Sequence, residues 1–208
     1  MKKSVLWVSA VSVVLAGCAT VYSNADYEKM AAEAIDKSFT AKGIAAKDRI
    51  KQDAVNLECS RAELAGGDLP TDVRKRIETE NMATIKYPAD GKFFGDWKAG
   101  ERLAQSGRGS TYSDKAGDPN GGNCYNCHQI SKEEISHGTL GPTLYQFGKL
   151  RGNSEAVVKY TWGKLYNAKA YNACTNMPRF GHQGILTEAQ MKDLMALLLD
   201  PESPVNKN

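Results

Sequence analysis

The chain has 208 residues and a formal net charge of +3, from 27 Lys and Arg against 24 Asp and Glu. This near balance, without a dense basic run, argues against nucleic acid as a partner and favours a protein or a small molecule. Five cysteines and three histidines are present, and their placement carries most of the functional information.

The N-terminus has the pattern of an export signal. Two lysines precede an apolar stretch, Val5 to Leu15, that is too short for a membrane-spanning helix of about 20 residues. The stretch ends in Leu15-Ala16-Gly17-Cys18, which resembles a bacterial lipobox. We therefore expect a lipoprotein signal peptide over residues 1–17, acylation of Cys18 and a periplasmic protein anchored to a membrane by lipid.

The alternative is ordinary signal cleavage. Ser23-Asn24-Ala25 has the small-x-small pattern of such a site, and cleavage there gives a soluble product that begins near Asp26.

Residues 18–90 are predicted to form a helical N-terminal extension. Helical periodicity covers residues 27–39, 48–64 and 71–84, with a turn at 66–70. The extension is poor in aromatic residues, so it buries a small core and is expected to pack on the domain that follows.

Residues 91–208 are predicted to form an all-α domain without a substantial sheet. Its helices are expected over residues 96–105, 154–169 and 187–200. Ser154 is the expected N-cap of the second helix, and Thr187 with Gln190 forms a capping box for the third.

The most specific motif is Cys124-Tyr125-Asn126-Cys127-His128, which has the Cys-x-x-Cys-His spacing of c-type haem attachment. Cys124 and Cys127 are predicted to form thioether bonds to one haem c, with His128 as the proximal iron ligand. A zinc site or a redox dithiol is the alternative, but zinc requires a second ligand pair, and a dithiol of the thioredoxin type requires a βαβ setting.

The turn Gly141-Pro142 and Leu144 follow the motif. We expect the Pro142 carbonyl to accept a hydrogen bond from the His128 ring and Leu144 to pack on the porphyrin. The alternative is an ordinary turn.

A distal iron ligand is expected at Met177, which lies in a loop with helix breakers on its C-terminal side. Of the other methionines, Met191 and Met195 lie on the apolar face of the last helix, where core packing is the expected role. His182 is the alternative ligand.

Cysteine counting leaves Cys59 and Cys174 after Cys18, Cys124 and Cys127 are assigned. In an oxidising compartment these two are expected to form a disulfide, worth roughly 4 to 5 kcal/mol by loop-closure entropy. The alternative is two separate buried thiols.

These motifs resemble class I cytochromes c, and the C-terminal half resembles the SoxX family, the monohaem subunits of the SoxAX cytochromes of bacterial sulfur oxidation. The resemblance is strong from about Gly122 to Asn206, especially in Asn176-Met177-Pro178-Arg179-Phe180-Gly181. Cys124, Cys127, His128 and Met177 match the family's haem-binding positions.

The resemblance implies a class I cytochrome c fold and a role in the first step of thiosulfate oxidation. SoxAX, an L-cysteine S-thiosulfotransferase, joins thiosulfate oxidatively to a cysteine of the carrier SoxYZ. The chemistry belongs to the SoxA subunit, so this chain is expected to contain no catalytic nucleophile. It is expected to accept electrons and pass them to another cytochrome c.

Two other functions are open from the sequence. The first is a free periplasmic electron shuttle, and the second is a haem lipoprotein with a structural or sensing role. A subunit should expose an apolar patch near the haem edge, whereas a shuttle should present a charged rim.

Overall fold

The computed structural model describes residues 22–207, and within this range the secondary structure is helical. The α-helices are α1 Asn24–Ser38, α2 Ala54–Leu64, α3 Thr71–Met82, α4 Trp97–Gln105, α5 Phe147–Arg151, α6 Glu155–Tyr166 and α7 Glu188–Leu199. In the described part of the chain, β-type pairing is found as an isolated antiparallel bridge between Lys42 and Ala45. The all-α prediction is therefore confirmed.

The described chain forms two compact units that divide after Thr40. The first contains α1, which begins with a capping box between Ser23 and Asp26 and buries none of its residues. The domain boundary expected between residues 90 and 91 stays a prediction, and the signal peptide and Cys18 lie outside the described residues. Between residues 22 and 207, no helix combines the length and the apolar character that crossing a bilayer requires.

Helices α4 and α7 form the closest helix pair of the second unit. Gly100 makes this approach possible, because a Cβ atom there would overlap the Asp193 carbonyl of α7. Thr187 and Gln190 form the expected capping box. The predicted apolar face of α7 is buried in the main core, at Met191, Leu194, Met195 and Leu198.

The later part of the extension packs on α6, as expected. The indole of the buried Trp162 donates a hydrogen bond of 2.8 Å to the Lys86 carbonyl. Asn167, directly after α6, donates at 2.9 Å to the side chains of both Asn81 and Thr84. These buried polar bonds fix the end of α3 against the helix before the Met177 loop.

The structure differs from the expected helices at three places. A short 3₁₀ turn, Lys47–Ile50, precedes α2, which begins only at Ala54 because Asp53 caps the amide of Asn56 at 2.8 Å. Helix α6 ends at Tyr166 and is followed by a 3₁₀ turn, Ala168–Ala170. Helix α5 was not predicted, since it has five residues and follows a residue in the left-handed conformation.

Candidate haem site

The Cys-x-x-Cys-His motif forms one tight turn. Asn123 has φ 50°, a left-handed conformation that asparagine tolerates, and it starts the 3₁₀ turn Cys124–Asn126. The amides of Cys127 and His128 both donate to the Cys124 carbonyl, at 3.1 and 3.0 Å. Neither cysteine of the motif takes part in a disulfide.

The His128 ring is held in one orientation. Its Nδ1 lies 2.7 Å from the Pro142 carbonyl oxygen. Because a carbonyl can only accept, Nδ1 must carry the proton, and the lone pair of Nε2 is left free for a metal ion. The backbone of Gly141 lies against the ring, where a Cβ atom would overlap it. The hydrogen bond expected from the Gly-Pro turn is therefore present.

Backbone hydrogen bonds attach the segment 138–144 along the motif. The amides of Gly138, Gly141 and Leu144 donate at 2.8 Å to the carbonyls of Tyr125, Cys127 and Gln129, respectively. These bonds hold the Gly-Pro turn against the segment that contains the two cysteines and His128.

Met177 lies in a loop and is partly buried against the main core. Cys124 and Leu144 pack against the same large apolar cluster. The Met177 amide donates to the Thr175 hydroxyl at 3.1 Å. Phe180, three residues later, is buried in the core.

The other potential ligands have different surroundings. Met191 and Met195 are fully buried in the core of α7, as expected. Met82 is 40% exposed on α3. His182 is exposed, and its pKa is lowered by partial desolvation and by the nearby Arg179.

A buried polar network beside the motif was not predicted. The Tyr125 hydroxyl donates to Glu101 of α4 at 2.8 Å and lies 2.9 Å from the Ser131 hydroxyl. Burial raises the pKa of Tyr125, so the phenol stays protonated. The second carboxyl oxygen of Glu101 is buried without a hydrogen-bond partner.

Cys59 and Cys174 form a disulfide with a Cα–Cα distance of 5.6 Å across a sequence separation of 115. It joins α2 of the extension to the chain three residues before Met177. The pairing expected from cysteine counting is therefore present.

The residues fit a covalently bound haem. The two cysteines of the motif fit covalent attachment of a porphyrin, and the imidazole with its Nε2 available fits ligation of the haem iron. The Gly141 backbone lies directly against the His128 imidazole, so the ring has the space that an iron-binding orientation requires. Within the described residues, no group of three or more His, Cys, Asp or Glu side chains is arranged to hold a metal ion.

Comparison with known proteins identifies the domain that contains this site. Residues 106–200 match the family model for cytochrome c. A protein of Aquifex aeolicus (strain VF5), named "Uncharacterized lipoprotein", is 41% identical over 138 residues. The match covers 65% of this chain and 64% of that relative, so the chain spans just under two thirds of the relative's length.

The chain therefore contains a cytochrome c domain, and its all-helical structure agrees with the class I cytochrome c fold. Such a domain carries covalently bound haem and transfers electrons.

Proposed function

We propose that this cytochrome c domain is the monohaem electron-transfer subunit of a SoxAX-type S-thiosulfotransferase. It accepts electrons when a SoxA-like partner couples thiosulfate to a cysteine of a SoxYZ-like carrier, and it passes them to a downstream cytochrome c. One haem c is held by Cys124 and Cys127, with His128 as the proximal iron ligand and Met177 as the distal one.

The orientation of His128 is the observation that carries the haem-binding part of the proposal, whereas the SoxAX role rests on the sequence resemblance. The Pro142 carbonyl keeps the ring proton on Nδ1, and the Gly141 backbone holds the ring plane, so Nε2 is ready to bind iron without rearrangement. When bound, the haem supplies one-electron redox chemistry. The side chains of Leu144 and Met177 both pack against the main apolar core.

Ligation by Met177 suits an electron acceptor. A thioether ligand raises the reduction potential relative to a second histidine, so the ferric haem accepts electrons more readily. It also fills the sixth coordination position, which a gas sensor would keep open. The proposed His/Met centre therefore favours electron transfer over sensing.

Exposed apolar side chains beside the motif favour a subunit over a free shuttle. Leu140 is 89% exposed, and it lies between Gly138 and Gly141, whose amides bond to the motif. Ile135, a few residues earlier, is 88% exposed. Apolar groups of this kind next to a haem attachment site fit a docking surface for a protein partner.

The proposal places the chain in the periplasm, attached to a membrane through acylated Cys18. The lipobox-like Leu15-Ala16-Gly17-Cys18 and the relative named a lipoprotein support the anchor. Intact mass of the mature protein tests it, since a polypeptide that starts at Asp26 without acyl chains would contradict the anchor.

Reconstitution tests the function. The haem-loaded chain alone should not be reduced by thiosulfate, because it contains no catalytic nucleophile. Addition of purified SoxA-like and SoxYZ-like proteins should reduce its haem. Absence of reduction, with each partner shown to be loaded and intact, would overturn the proposal.

A substitution at Leu140 tests the docking surface. Leu140→Ser should weaken binding of the SoxA-like partner roughly ten- to hundredfold, because burial of a leucine contributes about 1.5–3 kcal/mol and about 1.4 kcal/mol is a factor of ten. Leu64→Ser is the matched control, since Leu64 is 87% exposed at the end of α2. Equal affinities of the two variants in calorimetry would exclude Leu140 from the interface.

A further inference from the structure

The loop that carries Met177 is held at its two ends by different parts of the chain. After Met177, the amides of Gly181 and His182 donate to the Tyr166 carbonyl at 3.1 and 2.9 Å. This end therefore belongs to the cytochrome domain itself. Before Met177, the covalent attachment is to the extension, through the bond between Cys174 and Cys59 of α2.

A second link joins α2 to the loop after Met177. The Arg179 guanidinium, whose side chain is only 14% exposed, forms an ion pair with the Asp53 carboxylate. Asp53 is also the N-cap of α2, where it accepts from the Asn56 amide at 2.8 Å. Helix α2 thus holds the loop three residues before Met177 and two residues after it.

Between these two links, α2 and the loop do not pack tightly. They enclose an open cavity of about 580 Å³. Its wall includes the polar side chains of Gln52, Asn56, Ser60, Thr175, Asn176 and Gln183. Apolar packing lies beside the bridge, where Ala173 is buried in a small cluster with Leu69 and Ile77, and where Val55 and Ala62 of α2 pack against that cluster. The bridge is the covalent link between α2 and the loop, and the ion pair is a second, charged link.

We propose that α2 braces the loop of the axial methionine, with Cys59, Cys174, Asp53 and Arg179 as positioning residues. The inference rests on the proposed ligation of iron by Met177. Loosening the brace weakens the sulfur–iron bond and lowers the reduction potential of the haem. The N-terminal extension thereby contributes to how readily the site accepts electrons.

The bridge also makes this brace responsive to thiols. Cys174 is exposed, so a dithiol can reach it from solvent. The reaction breaks the Cys59–Cys174 bond, each sulfur takes up one proton, and the dithiol is oxidised to its own disulfide in a balanced two-electron exchange.

Two variants of the haem-loaded chain test the brace. Cys59→Ser with Cys174→Ser removes the bridge. Asp53→Asn removes the ion pair but keeps the cap, because asparagine caps helices as well as aspartate does. Asp48→Asn, at an exposed position in the preceding 3₁₀ turn, is the matched control. Asp53→Asn also keeps the test decisive if the bridge variant folds poorly.

Three measurements separate a positioning role from simple stabilisation. Hydrogen exchange of residues 174–183 reports on the loop, the near-infrared sulfur-to-iron band reports on the ligand, and the midpoint potential reports on the haem. We expect about tenfold faster exchange, a weaker band and a lower potential in both variants, and no change in Asp48→Asn.

Each outcome has a distinct meaning. Unchanged exchange in both variants would overturn the brace, and so would faster exchange with an unchanged band and potential. A wild-type protein that lacks the band would instead refute ligation by Met177, and faster loop exchange in the variants would then still support the mechanical brace.

Discussion

Gly141 shows how a single residue controls the proximal ligand. Its backbone lies against the His128 ring, and a methyl group would overlap that ring. Gly141→Ala should destabilise the folded protein by about 1–3 kcal/mol, the usual cost of overpacking, and should displace the imidazole. Denaturant unfolding and the midpoint potential measure the two effects.

Gly67→Ala is the control for this substitution, because nothing lies within 4 Å of a Cβ atom at Gly67. If the two alanine variants unfold at the same denaturant concentration and keep the same potential, the close approach at Gly141 has no role.

Tyr125 connects the haem motif to α4 through its hydroxyl. Tyr125→Phe should cost about 1–3 kcal/mol, because the phenol loses its hydrogen bonds to the half-buried Glu101 carboxylate and to the buried Ser131 hydroxyl. The free energy of unfolding checks this value.

Tyr112→Phe serves as the comparison, since Tyr112 is 55% exposed and its ring keeps the contact with the Lys42 ammonium. A Tyr125→Phe variant as stable as Tyr112→Phe would show that the buried network contributes nothing.

Among single residues, the sequence predicts the features that are formed by neighbours in the chain. The motif Cys124 to His128 and the breakers after Met177 are local, so they could be recognised without a structure. The bond between Tyr125 and Glu101 could not be, because the two residues are 24 positions apart and meet only when α4 is in place.

At the scale of the elements, α2 is joined to the Met177 loop by the ion pair of Asp53 and Arg179, and the strength of this ion pair depends on pH. Burial acts to raise the pKa of Asp53, but the Asn56 amide and the Arg179 guanidinium outweigh it and hold the pKa below its ordinary value. The ion pair therefore stabilises the fold above the unfolded pKa of about 3.9, and this stabilisation is lost as pH falls through the lower folded pKa.

Asp53→Asn should consequently lower the free energy of unfolding at pH 6, and the difference from wild type should shrink as pH falls below 4. Denaturant titrations across this range, with Asp48→Asn in parallel, measure it. A difference that is constant with pH would mean that the charge of Asp53 has no part in stability.

Helix ends were predictable where a cap lies at the end of a periodic pattern. Ser154 and Thr187 cap α6 and α7 as expected, because each bonds to an amide three residues later. The start of α2 was placed too early, because the first residues of the predicted helix form a 3₁₀ turn and the Asp53 side chain caps a helix that begins only at Ala54. Helix α5 has too few residues to show periodicity.

The whole molecule combines a recognisable haem domain with an extension whose connections were only partly predictable. Counting cysteines was enough to pair Cys59 with Cys174. The ion pair of Asp53 and Arg179 spans 126 positions between two ordinary charged residues, so nothing in the sequence singles it out. Long-range polar contacts of this kind depend on the tertiary fold alone.

The near-infrared spectrum of the ferric, haem-loaded chain tests most directly whether this molecule is a His/Met electron acceptor. The wild-type protein should show the weak sulfur-to-iron band. Met177→Ala should lose the band, with a fall in midpoint potential of about 0.1 V, while His182→Ala should keep both. A wild-type spectrum without the band, unchanged in Met177→Ala, would contradict the proposed centre.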